Sequence, residues 1–598
     1  PIRTFAASHP PTPMTLEVDW RNGTRQVVKG ILPGRLYEIA QPTASTPRPA
    51  APALPQPWLA PAPLTPPHRH HDEPFDDLAR QRLLPWRIST RAPVVGWIDA
   101  DADGRDDLFL GGGRGQPIEW RAMTAPQVNA PSASTRPALA TVPTPHQRAV
   151  VAVLATHHPG SWLAALSPAE DGLTNAPCLV GGPFWGDIAA AAAGINPGSL
   201  AAADLDGDGQ PEVFVGDRGV PGHWPRAASS RILSRKQGSW RAAAELPAGM
   251  VTGALFSDLD DDGDPDLVTC AEAGEVRAWR NDASTLAPWN LPGLSGLTGW
   301  WLGLAAADFD ADGRIDLVAG NRGLNGRPDP VDPARPETRI AWGNFGGVGT
   351  TEPLLGSWDP AEQRWFPRRE WKAVGAALPW VPVAFPNHAA YGRASFDDVL
   401  SGKPADASEI VVKTCASHLF LNRGDRFEPR PLPAEAQWSS AHALAAGDLN
   451  GDGLADVVLA QNDFGMDAES TRQDAGLGLL LQGDGTGRFV ALGPARSGLR
   501  VAGQGRSVAL GDLDADGRVD LAMGVHEGDT LYLRNPSPGA PGVVTNVAIG
   551  TRVRWRLGER AGPVVEARAG NGSNGQDSLR LTITGIPAGA TLEARPPR

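Results

Sequence analysis

Six segments of the chain repeat one nine-residue pattern, D-x-[DN]-x-D-G-x-x-[DE]. Each lies between two short runs of small or β-branched residues, such as LGLAAA before and LVAGN after the segment that begins at Asp308. Such runs, interrupted by Gly and Asp every few residues, predict buried β-strands and argue against long helices. The repeat therefore predicts antiparallel strand pairs, each joined by an acidic turn. The segments are 99–107, 204–212, 258–266, 308–316, 448–456 and 512–520.

The acidic turns have the composition of a calcium-binding loop. Carboxylates at positions 1, 3 and 5 converge on one side of a tight turn, and position 9 adds another. Position 6 is Gly in all six copies, which permits a positive φ, and position 7 offers its backbone carbonyl. Such an all-oxygen set suits Ca²⁺, but the distant Glu of an EF-hand is absent and strands replace its helices. The repeat therefore predicts a β-hairpin calcium loop. The predicted ligand positions are Asp99, Asp101, Asp103, Arg105, Asp107, Asp204, Asp206, Asp208, Gln210, Glu212, Asp258, Asp260, Asp262, Asp264, Asp266, Asp308, Asp310, Asp312, Arg314, Asp316, Asp448, Asn450, Asp452, Leu454, Asp456, Asp512, Asp514, Asp516, Arg518 and Asp520.

A competing interpretation is that Asp and Gly are simply common in turns. Six copies in one frame, each beside the same strand pattern, favour metal binding instead. The formal net charge is −13, and about six Ca²⁺ ions would offset most of it and contribute to stability. An acidic chain is a poor match for nucleic acid. The sequence also has no run of eighteen apolar residues that would predict a membrane-spanning helix.

Two further segments share the strand-pair frame without its acids. NFGGVGTTE at 344–352 has lost most carboxylates, and RAVVAVLATHHPGSWLAAL at 148–166 is a hairpin with a neutral turn. With the six acidic loops they make eight units of roughly fifty residues, a spacing typical of propeller blades. We expect an all-β propeller of eight blades, or of seven if the hairpin at 148–166 is not a blade.

Composition divides the chain into four segments. Residues 42–67 contain ten prolines and read as an extended linker. Residues 358–408 lack the repeat and are expected to be a partly helical insertion in the sixth blade, which resumes at 409–427. Alternating patterns near both ends predict strands, with a turn at Asn22–Gly23 in the first. The expected segments are 1–42, a terminal β-segment; 43–67, the linker; 68–540, the propeller with its insertion; and 541–598, a second terminal β-segment.

The acidic loops resemble the FG-GAP or VCBS repeat of integrin α-subunit propellers and of many secreted bacterial proteins. The chain ends resemble the ASPIC/UnbV (cartilage acidic protein-like) family in its bacterial tandem-array form. NVAIGTRVRW and AGNGSNGQDS resemble the opening half of that family's module, LEVDWRNGTRQVVKGILPGRLYEI its closing half, and HRHHDEPFDDLARQRLLPW at 68–86 the joint before a propeller. The closing half comes first here. Either the chain is one period of a tandem array, or its two ends pair in space.

Common catalytic motifs are missing from the sequence, which contains no HExxH, GxSxG or Walker loop. The one GxGxxG, at Gly570, Gly572 and Gly575, has no following helix, so a nucleotide site is not expected. Arg423–Gly424–Asp425 is an integrin-ligand motif elsewhere, but it lies at an expected hairpin turn, where Gly and Asp are common anyway. Asn22 and Asn571 head N-glycosylation sequons, which matter only in a glycosylating secretory pathway.

Histidines form a cluster at the start of the expected propeller. Imidazole and carboxylate groups suit zinc or copper, whereas the simpler interpretation, which we favour, is a polar segment that docks the linker on the first blade. His157 and His158 are expected to be turn residues of the neutral hairpin. The cluster comprises His68, His70, His71, Asp72 and Glu73.

Two functions remain open from the sequence. The first is a calcium-stabilised propeller, extracellular, cell-surface or periplasmic, that binds protein or carbohydrate ligands on one face and is not an enzyme. The alternative is a secreted polysaccharide lyase or hydrolase on the same scaffold, which needs a base or carboxylate pair backed by cationic side chains. The insertion offers candidates for that alternative in Arg364, Arg368, Arg369 and Glu370.

Overall fold

The chain forms two compact units, residues 1–56 and 57–598, in a computed structural model. In the first unit, β1 (Met14–Asp19) pairs antiparallel with β2 (Thr24–Ile31), and β2 pairs with β3 (Thr46–Pro47). The turn expected at Asn22–Gly23 lies outside the described residues. The structure describes residues 14–20, 24–32, 37–41, 46–47, 56–101, 103–122, 148–158, 161–171, 176–325, 338–347, 349, 351–401, 407–536 and 541–598.

The second unit is built from a series of small antiparallel sheets, which we name A to G in chain order. In each, the first two strands are the pair that flanks a repeat turn, and further strands follow outward. A short strand, β4 (Ala60–Pro61), and helix α1 (Asp77–Arg80) precede them. Sheet A contains β5 (Val95–Ile98), β6 (Asp107–Leu110) and β7 (Glu119–Arg121); sheet B, β8 (Val150–Leu154), β9 (Leu163–Leu166) and β10 (Leu179–Gly181), followed by a 3-10 turn (Pro183–Trp185) and α2 (Ile188–Ala191); sheet C, β11 (Pro197–Ala203), β12 (Glu212–Asp217), β13 (Ser230–Lys236) and β14 (Ser239–Leu246).

Sheets D and E continue the series, and sheet E is interrupted by an insertion. Its first two strands precede the insertion and its last two follow it. Sheet D contains β15 (Met250–Ser257), β16 (Asp266–Gly274), β17 (Val276–Asp282), β18 (Thr285–Trp289) and β19 (Gly299–Trp300); sheet E begins with β20 (Gly303–Ala307) and β21 (Asp316–Gly320); the insertion has β22 (Thr338–Gly343), β23 (Glu352–Asp359), β24 (Arg364–Pro367), helices α3 (Trp371–Ala377), α4 (Val381–Ala384), α5 (His388–Arg393) and α6 (Phe396–Leu400), and β25 (Ser408–Val412); sheet E ends with β26 (His418–Asn422) and β27 (Phe427–Pro431).

Sheets F and G complete the series, and the C-terminal segment forms a small β-module, residues 541–598. The fourth strand of sheet G is β4, so part of the expected Pro-rich linker is built into the fold. Prolines suit such an edge strand because they lack the N–H that a central strand needs. After a 3-10 turn (Ala434–Gln437), sheet F contains β28 (Ala441–Gly447), β29 (Asp456–Gln461), β30 (Leu479–Gly483) and β31 (Phe489–Leu492); after α7 (Pro494–Ser497), sheet G contains β32 (Gln504–Gly511), β33 (Asp520–His526) and β34 (Leu531–Arg534); the module contains β35 (Val543–Asn546), β36 (Arg552–Leu557), β37 (Arg560–Ala561), β38 (Val565–Glu566), β39 (Arg580–Ile583) and β40 (Thr591–Arg595).

The core lies between neighbouring sheets. The first strands contact one another in the order β5, β8, β11, β15, β20, β28 and β32, and β32 contacts β5. Separate buried clusters join A to B, B to C, C to D, D to E, E to F, F to G and G to A. Small residues on the first strands allow this close approach, and leucine, valine and phenylalanine side chains fill the gaps.

The insertion differs in detail from the sequence prediction. The turn at 344–352 joins β22 to β23, and these strands form a sheet of their own with β24 and β25. Strand β25 therefore pairs inside the insertion, and sheet E resumes only at β26. The difference arises because the sequence marks a strand pair but not the sheet that the pair joins.

One loop of the C-terminal module, residues 569–578, contacts all seven first strands. Gly572 O accepts from Leu304 N at 2.9 Å, Asn574 O from Val153 N at 2.9 Å, and Gln576 O from Trp97 N at 2.9 Å. The loop also bonds to β11, β28 and β32, and Gly253 of β15 approaches Gly572 so closely that a Cβ there would lie 2.3 Å from its carbonyl oxygen. We call residues 569–578 the axial loop. Within the described residues, no helix has the length and apolar character needed to cross a membrane.

Candidate metal sites in the acidic loops

The carboxylate at position 1 shapes each acidic turn. In sheet D, Asp258 Oδ1 accepts from Asp262 N and Oδ2 from Gly263 N, both at 3.1 Å. Asp308 makes the same pair of bonds at 3.1 and 3.0 Å. Position 6 has a positive φ in every copy, between 80° and 102°, a conformation that glycine adopts without steric cost. The sequence prediction for this glycine therefore matches the backbone.

The carboxylate at position 9 ties the turn to the third strand of its sheet. Asp316 Oδ2 accepts from Phe309 N at 2.9 Å, and Oδ1 from Asn422 N at 2.7 Å. Burial raises the pKa of Asp316 to about 8, and nearby carboxylates add to this shift. The sequence did not indicate this second bond, because its donor lies about a hundred residues away. The same cause raises the pKa to about 7 at position 9 of four other loops: Asp107, Glu212, Asp266 and Asp520.

The carboxylate at position 3 is only half satisfied. Among the described residues, the Oδ1 atoms of Asp260, Asp310 and Asp514 are buried without a hydrogen-bond partner. Their other oxygens pair with a cationic side chain near the end of the third strand; Arg280 reaches Asp260 at 2.6 Å. An unpaired buried carboxylate oxygen is costly, so a cation at these turns would relieve a real deficit. The corresponding cations in sheets E, G and C are Arg423, Arg534 and Lys236.

Three carboxylates converge in several loops, and the remaining predicted positions complete the turns. Ligand atoms within 4.8 Å of one another come from positions 1, 3 and 5 in two loops and from positions 1, 3 and 9 in two others. In all six loops the position-5 carboxylate also accepts from the position-7 backbone N–H, as in Asp262 from Asp264 at 2.9 Å. The converging sets are Asp99–Asp101–Asp103, Asp258–Asp260–Asp262, Asp204–Asp206–Glu212 and Asp308–Asp310–Asp316.

Two turns depart from this arrangement. In the loop at 448–456, the Asn450 side chain donates to Asp452 Oδ2 at 2.8 Å, so an amide occupies part of the cage. In sheet B the turn is neutral: Ser161 Oγ bonds to Thr156 O at 2.6 Å and accepts from Thr156 N at 3.0 Å. The second turn joins the same kind of strands without any carboxylate.

The C-terminal module contacts the acidic loops directly. Asp308 Oδ2 accepts from Val564 N at 3.0 Å, and Arg552 bridges two loops through Asp261 Oδ1 at 2.8 Å and Gly313 O at 2.9 Å. Thr584 donates to Asp448 Oδ2. The C-terminal module therefore packs on the strand ends that carry the acidic loops.

The histidine cluster lies at the opposite ends of the strands and makes docking contacts there. His68 Nδ1 lies 2.8 Å from Thr530 Oγ1, and His70 Nδ1 accepts from Glu527 N at 3.1 Å. Asp72 Oδ1 accepts from Arg114 N at 2.7 Å. Ligand atoms of His70, Asp72 and His526 also lie within 4.8 Å of one another. The contacts agree with a docking role, but His68 and His70 dock on sheet G and only Asp72 on sheet A, the expected first blade.

Other residues singled out by sequence have structural roles. Arg423 of the Arg-Gly-Asp tripeptide pairs with Asp310 at 2.6 Å. In the insertion, Arg368 donates to Ser357 Oγ and Thr338 Oγ1, both at 2.6 Å, and Arg369 Nη1 donates to Leu84 O at 3.1 Å.

Two segments match known family models: residues 258–319 match an FG-GAP-like repeat and residues 440–481 an FG-GAP repeat. The chain therefore contains FG-GAP repeats, which are typical of extracellular or surface proteins. No curated protein matches it.

Two solved structures show weak similarity to the chain. One is the V. cholerae biofilm matrix protein Bap1, with 12% identity, 75% of this chain and 88% of that chain covered, and a TM-score of 0.29. The other is Saccharomyces cerevisiae Sqt1, with 11% identity, 75% and 99% coverage, and a TM-score of 0.31. Similarity at this level carries no argument about fold or function.

Proposed function

We propose that the chain is a calcium-stabilised, closed seven-bladed β-propeller that serves as a binding scaffold for protein or carbohydrate ligands outside the cell or at its surface. Sheets A to G are the blades. The contact of β32 with β5, the buried cluster between sheets G and A, and the supply of β4 to sheet G support closure. The sequence predicts eight blades, or seven without the hairpin at 148–166. We reach seven by a different route: the hairpin at 148–166 counts as a blade, and the turn at 344–352 belongs to the insertion.

The observation that carries the calcium proposal is the buried, partnerless Oδ1 atom at position 3 in three loops. Hard oxygen donors and tight turns fit Ca²⁺. Positions 1, 3, 5 and 9 of each loop would hold the ion, and the turn at 448–456 would contribute Asn450. A bound ion would neutralise the carboxylates and fix the turn beneath the C-terminal module, so its role is structural.

The proposed role as a scaffold follows from the distribution of the acidic loops. They belong to six different sheets and support the module, whereas a catalytic metal needs its ligands at one substrate cleft. FG-GAP repeats are compatible with an extracellular or adhesion-type protein. We also propose membership of the ASPIC/UnbV family, supported by the axial loop, whose sequence carries the resemblance and whose contacts reach every blade. Pairing of the two chain ends stays a prediction.

The experiment that tests the scaffold role is binding of the calcium-loaded chain to arrays of extracellular glycans and matrix proteins. We expect saturable binding to one ligand class that is lost in EDTA and weakened in Asp310→Asn. Asp425→Asn, a change of the same charge at an exposed carboxylate, is the matched control and should bind normally. Turnover of a polysaccharide, with no saturable binding, would replace the scaffold proposal by the enzyme alternative.

A further inference from the structure

Five consecutive sheets each contribute one charged side chain to a buried row at the strand ends opposite the acidic loops. Arg218 follows the second strand of sheet C, Glu272 lies at the end of that strand in sheet D, and Arg322 follows it in sheet E. Asp463 follows it in sheet F, and Arg506 lies on the first strand of sheet G. Their signs alternate, beginning and ending with a guanidinium. We call these five residues the charge row.

Neighbouring members of the charge row contact one another. Arg218 pairs with Glu272 through a short contact, and Arg322 lies 3.8 Å from Glu272 and 2.6 Å from Asp463. Arg506 Nη2 lies 3.5 Å from Asp463 Oδ1. Four of its residues are almost entirely excluded from solvent: Glu272 and Asp463 are 1% exposed, Arg506 4% and Arg322 6%. The fifth, Arg218, has a side chain that is 13% exposed. The row therefore behaves as a desolvated network.

Four residues of the row, Arg218, Arg322, Asp463 and Arg506, line a cavity of about 50 Å³ near the first strands, and Glu272 lies behind them. Asn574 of the axial loop lines it, as do Trp86 and Arg91 of the segment that crosses the opposite strand ends. The Arg322 guanidinium stacks 3.5 Å from the centroid of the Trp86 ring. A cavity this size has room for about three to five small non-hydrogen atoms, a range that includes an acetate ion and a phosphate ion.

The cavity carries an excess of positive charge and unused donors. The charge row has three guanidiniums and two carboxylates, and the carboxylates' pKa values are lowered by their arginine partners, so both are charged. His442, which also lines the cavity, has its pKa lowered to about 4 by burial and is neutral. Arg91, which also lines the cavity, is attracted by Glu170, Asp77 and Asp217. Arg87 lines the cavity too but is exposed to solvent, so the charge row supplies the buried excess.

Two N–H groups of the row lack acceptors. Arg218 Nη1 and Arg322 Nε are buried and have no hydrogen-bond partner among the described residues. A buried positive charge without an anion, and a buried donor without an acceptor, each cost free energy. One oxyanion within reach of both atoms would remove both deficits, because a guanidinium donates hydrogen bonds to such a group and can donate two in parallel.

We propose that this axial cavity is a binding site for one small oxyanion, a carboxylate or phosphate group, held by Arg218 and Arg322 of the charge row. The site is separate from the acidic loops and does not depend on the calcium proposal. The repeated G-x-R-G after the second strand, at 112–115, 216–219 and 320–323, is the sequence signal that marks two of its arginines.

The test is isothermal titration of the full chain, dialysed free of unbound Ca²⁺, with sodium acetate, inorganic phosphate and sodium chloride at constant ionic strength. We expect one saturable site for acetate or phosphate and much weaker binding of chloride. The tighter of the two oxyanions identifies the source of the group. Saturation by chloride with equal affinity, or no saturable binding of either oxyanion, would overturn the proposal.

The key variant is the charge-balanced pair Arg218→Gln with Glu272→Gln, which removes one donor group without changing the net charge. We expect its dissociation constant for the oxyanion to rise at least tenfold while the chain stays folded in a thermal melt. The matched control is the charge-balanced pair Arg148→Gln with Asp171→Asn, because Arg148 is also buried, also has an unpartnered nitrogen, and pairs with Asp171 away from the cavity. The proposal fails if the key variant binds as the control does.

Discussion

The first turns of sheets B and D both connect the first strand to the second, but one is neutral and the other is acidic. In sheet B, hydroxyl and backbone groups of Thr156 and Ser161 close the turn without a formal charge. In sheet D, one carboxylate oxygen from each of Asp258, Asp260 and Asp262 lies within 4.8 Å of the other two. Both turns lead from a buried first strand into a buried second strand. Strand pairing therefore does not require carboxylates.

Strand pairing therefore does not explain the carboxylates of the acidic turns, which repel one another when crowded. Two like charges about 4 Å apart cost roughly 1 kcal/mol in water and about 4 kcal/mol near a protein surface. Cationic side chains such as Arg280 offset part of this cost, and a bound cation would offset more. If the acidic turns bind a cation as proposed, their stability depends on that cation, whereas the stability of the neutral turn in sheet B does not.

The largest expected difference in the free energy of unfolding is between a variant at position 9 of an acidic turn and a variant in the neutral turn of sheet B. Asp316→Ala leaves the buried N–H groups of Phe309 and Asn422 without acceptors, so we expect a loss of about 3–5 kcal/mol in the free energy of unfolding. Ser161→Ala removes a neutral hydroxyl and should cost about 1–2 kcal/mol. Urea denaturation of both variants in EDTA measures the difference without metal. Equal losses would remove the distinction between the two turns.

The comparison extends to the opposite strand ends, where buried imidazoles replace carboxylates. Burial lowers the pKa of His526 to about 4 and that of His70 to about 2, below the value of about 6.5 in an unfolded chain. Because the folded pKa is depressed, the stability tied to neutral His526 is complete above pH 6.5 and is lost as pH falls towards 4. At pH 5 the loss should be about 2 kcal/mol.

His526→Asn tests this pH dependence. The amide can keep the hydrogen bond to Ala92 O, which His526 Nδ1 approaches at 2.9 Å, but it does not titrate. Urea denaturation between pH 7 and pH 4 should show a shallower loss of stability in the variant. Parallel pH profiles for the two proteins would contradict the assignment.

A smaller effect should depend on calcium. Asp260→Asn removes one charge from the crowded set of sheet D, so we expect about 1–2 kcal/mol less stability in calcium and a change within about 0.5 kcal/mol in EDTA. Thermal melts in both conditions give the two values. An identical loss with and without calcium would mean that Asp260 serves only as the partner of Arg280.

The smallest effect concerns the backbone of the turn. Gly209→Ala places a Cβ in open space at φ 82°, so its cost of about 1 kcal/mol is conformational. Gly238, at φ 83° and also in open space, lies in another hairpin of sheet C and provides the control. In calcium we expect Gly209→Ala to lose more than Gly238→Ala, and in EDTA to lose the same amount. Equal losses in both conditions would contradict a metal at that turn.

Local features of this fold could be predicted from sequence, whereas long-range ones could not. The repeat identified the strand pairs, the glycine with positive φ and the neutral hairpin at 148–166. It missed the bond from Asp316 to Asn422, because an insertion separates the third strand of sheet E from its turn. It also missed the contacts of the axial loop, because residues 569–578 are far in sequence from most of the strands that they contact. Those strands begin at Val95 and end at Gly511.

The charge row shows a second limit of sequence reasoning. Arg218 and Arg322 are visible as a repeated G-x-R-G, but Glu272 and Asp463 stand at the equivalent place in their sheets without that motif. Only the packing of the first strands against one another brings the five charges together. The repeat shows the residues that the sheets have in common, whereas the cavity depends on charged residues that differ from one sheet to the next.

The most direct test of the account is calcium stoichiometry measured together with the melting temperature on one EDTA-stripped sample, titrated with Ca²⁺ and then with Mg²⁺. The account predicts about six bound Ca²⁺ per chain and a rise in Tm on the order of 10 °C or more, because each ion binds the folded state alone. Binding of no ion or of one, with an unchanged melt, would contradict it. The acidic loops would then be turns held by their own cationic partners.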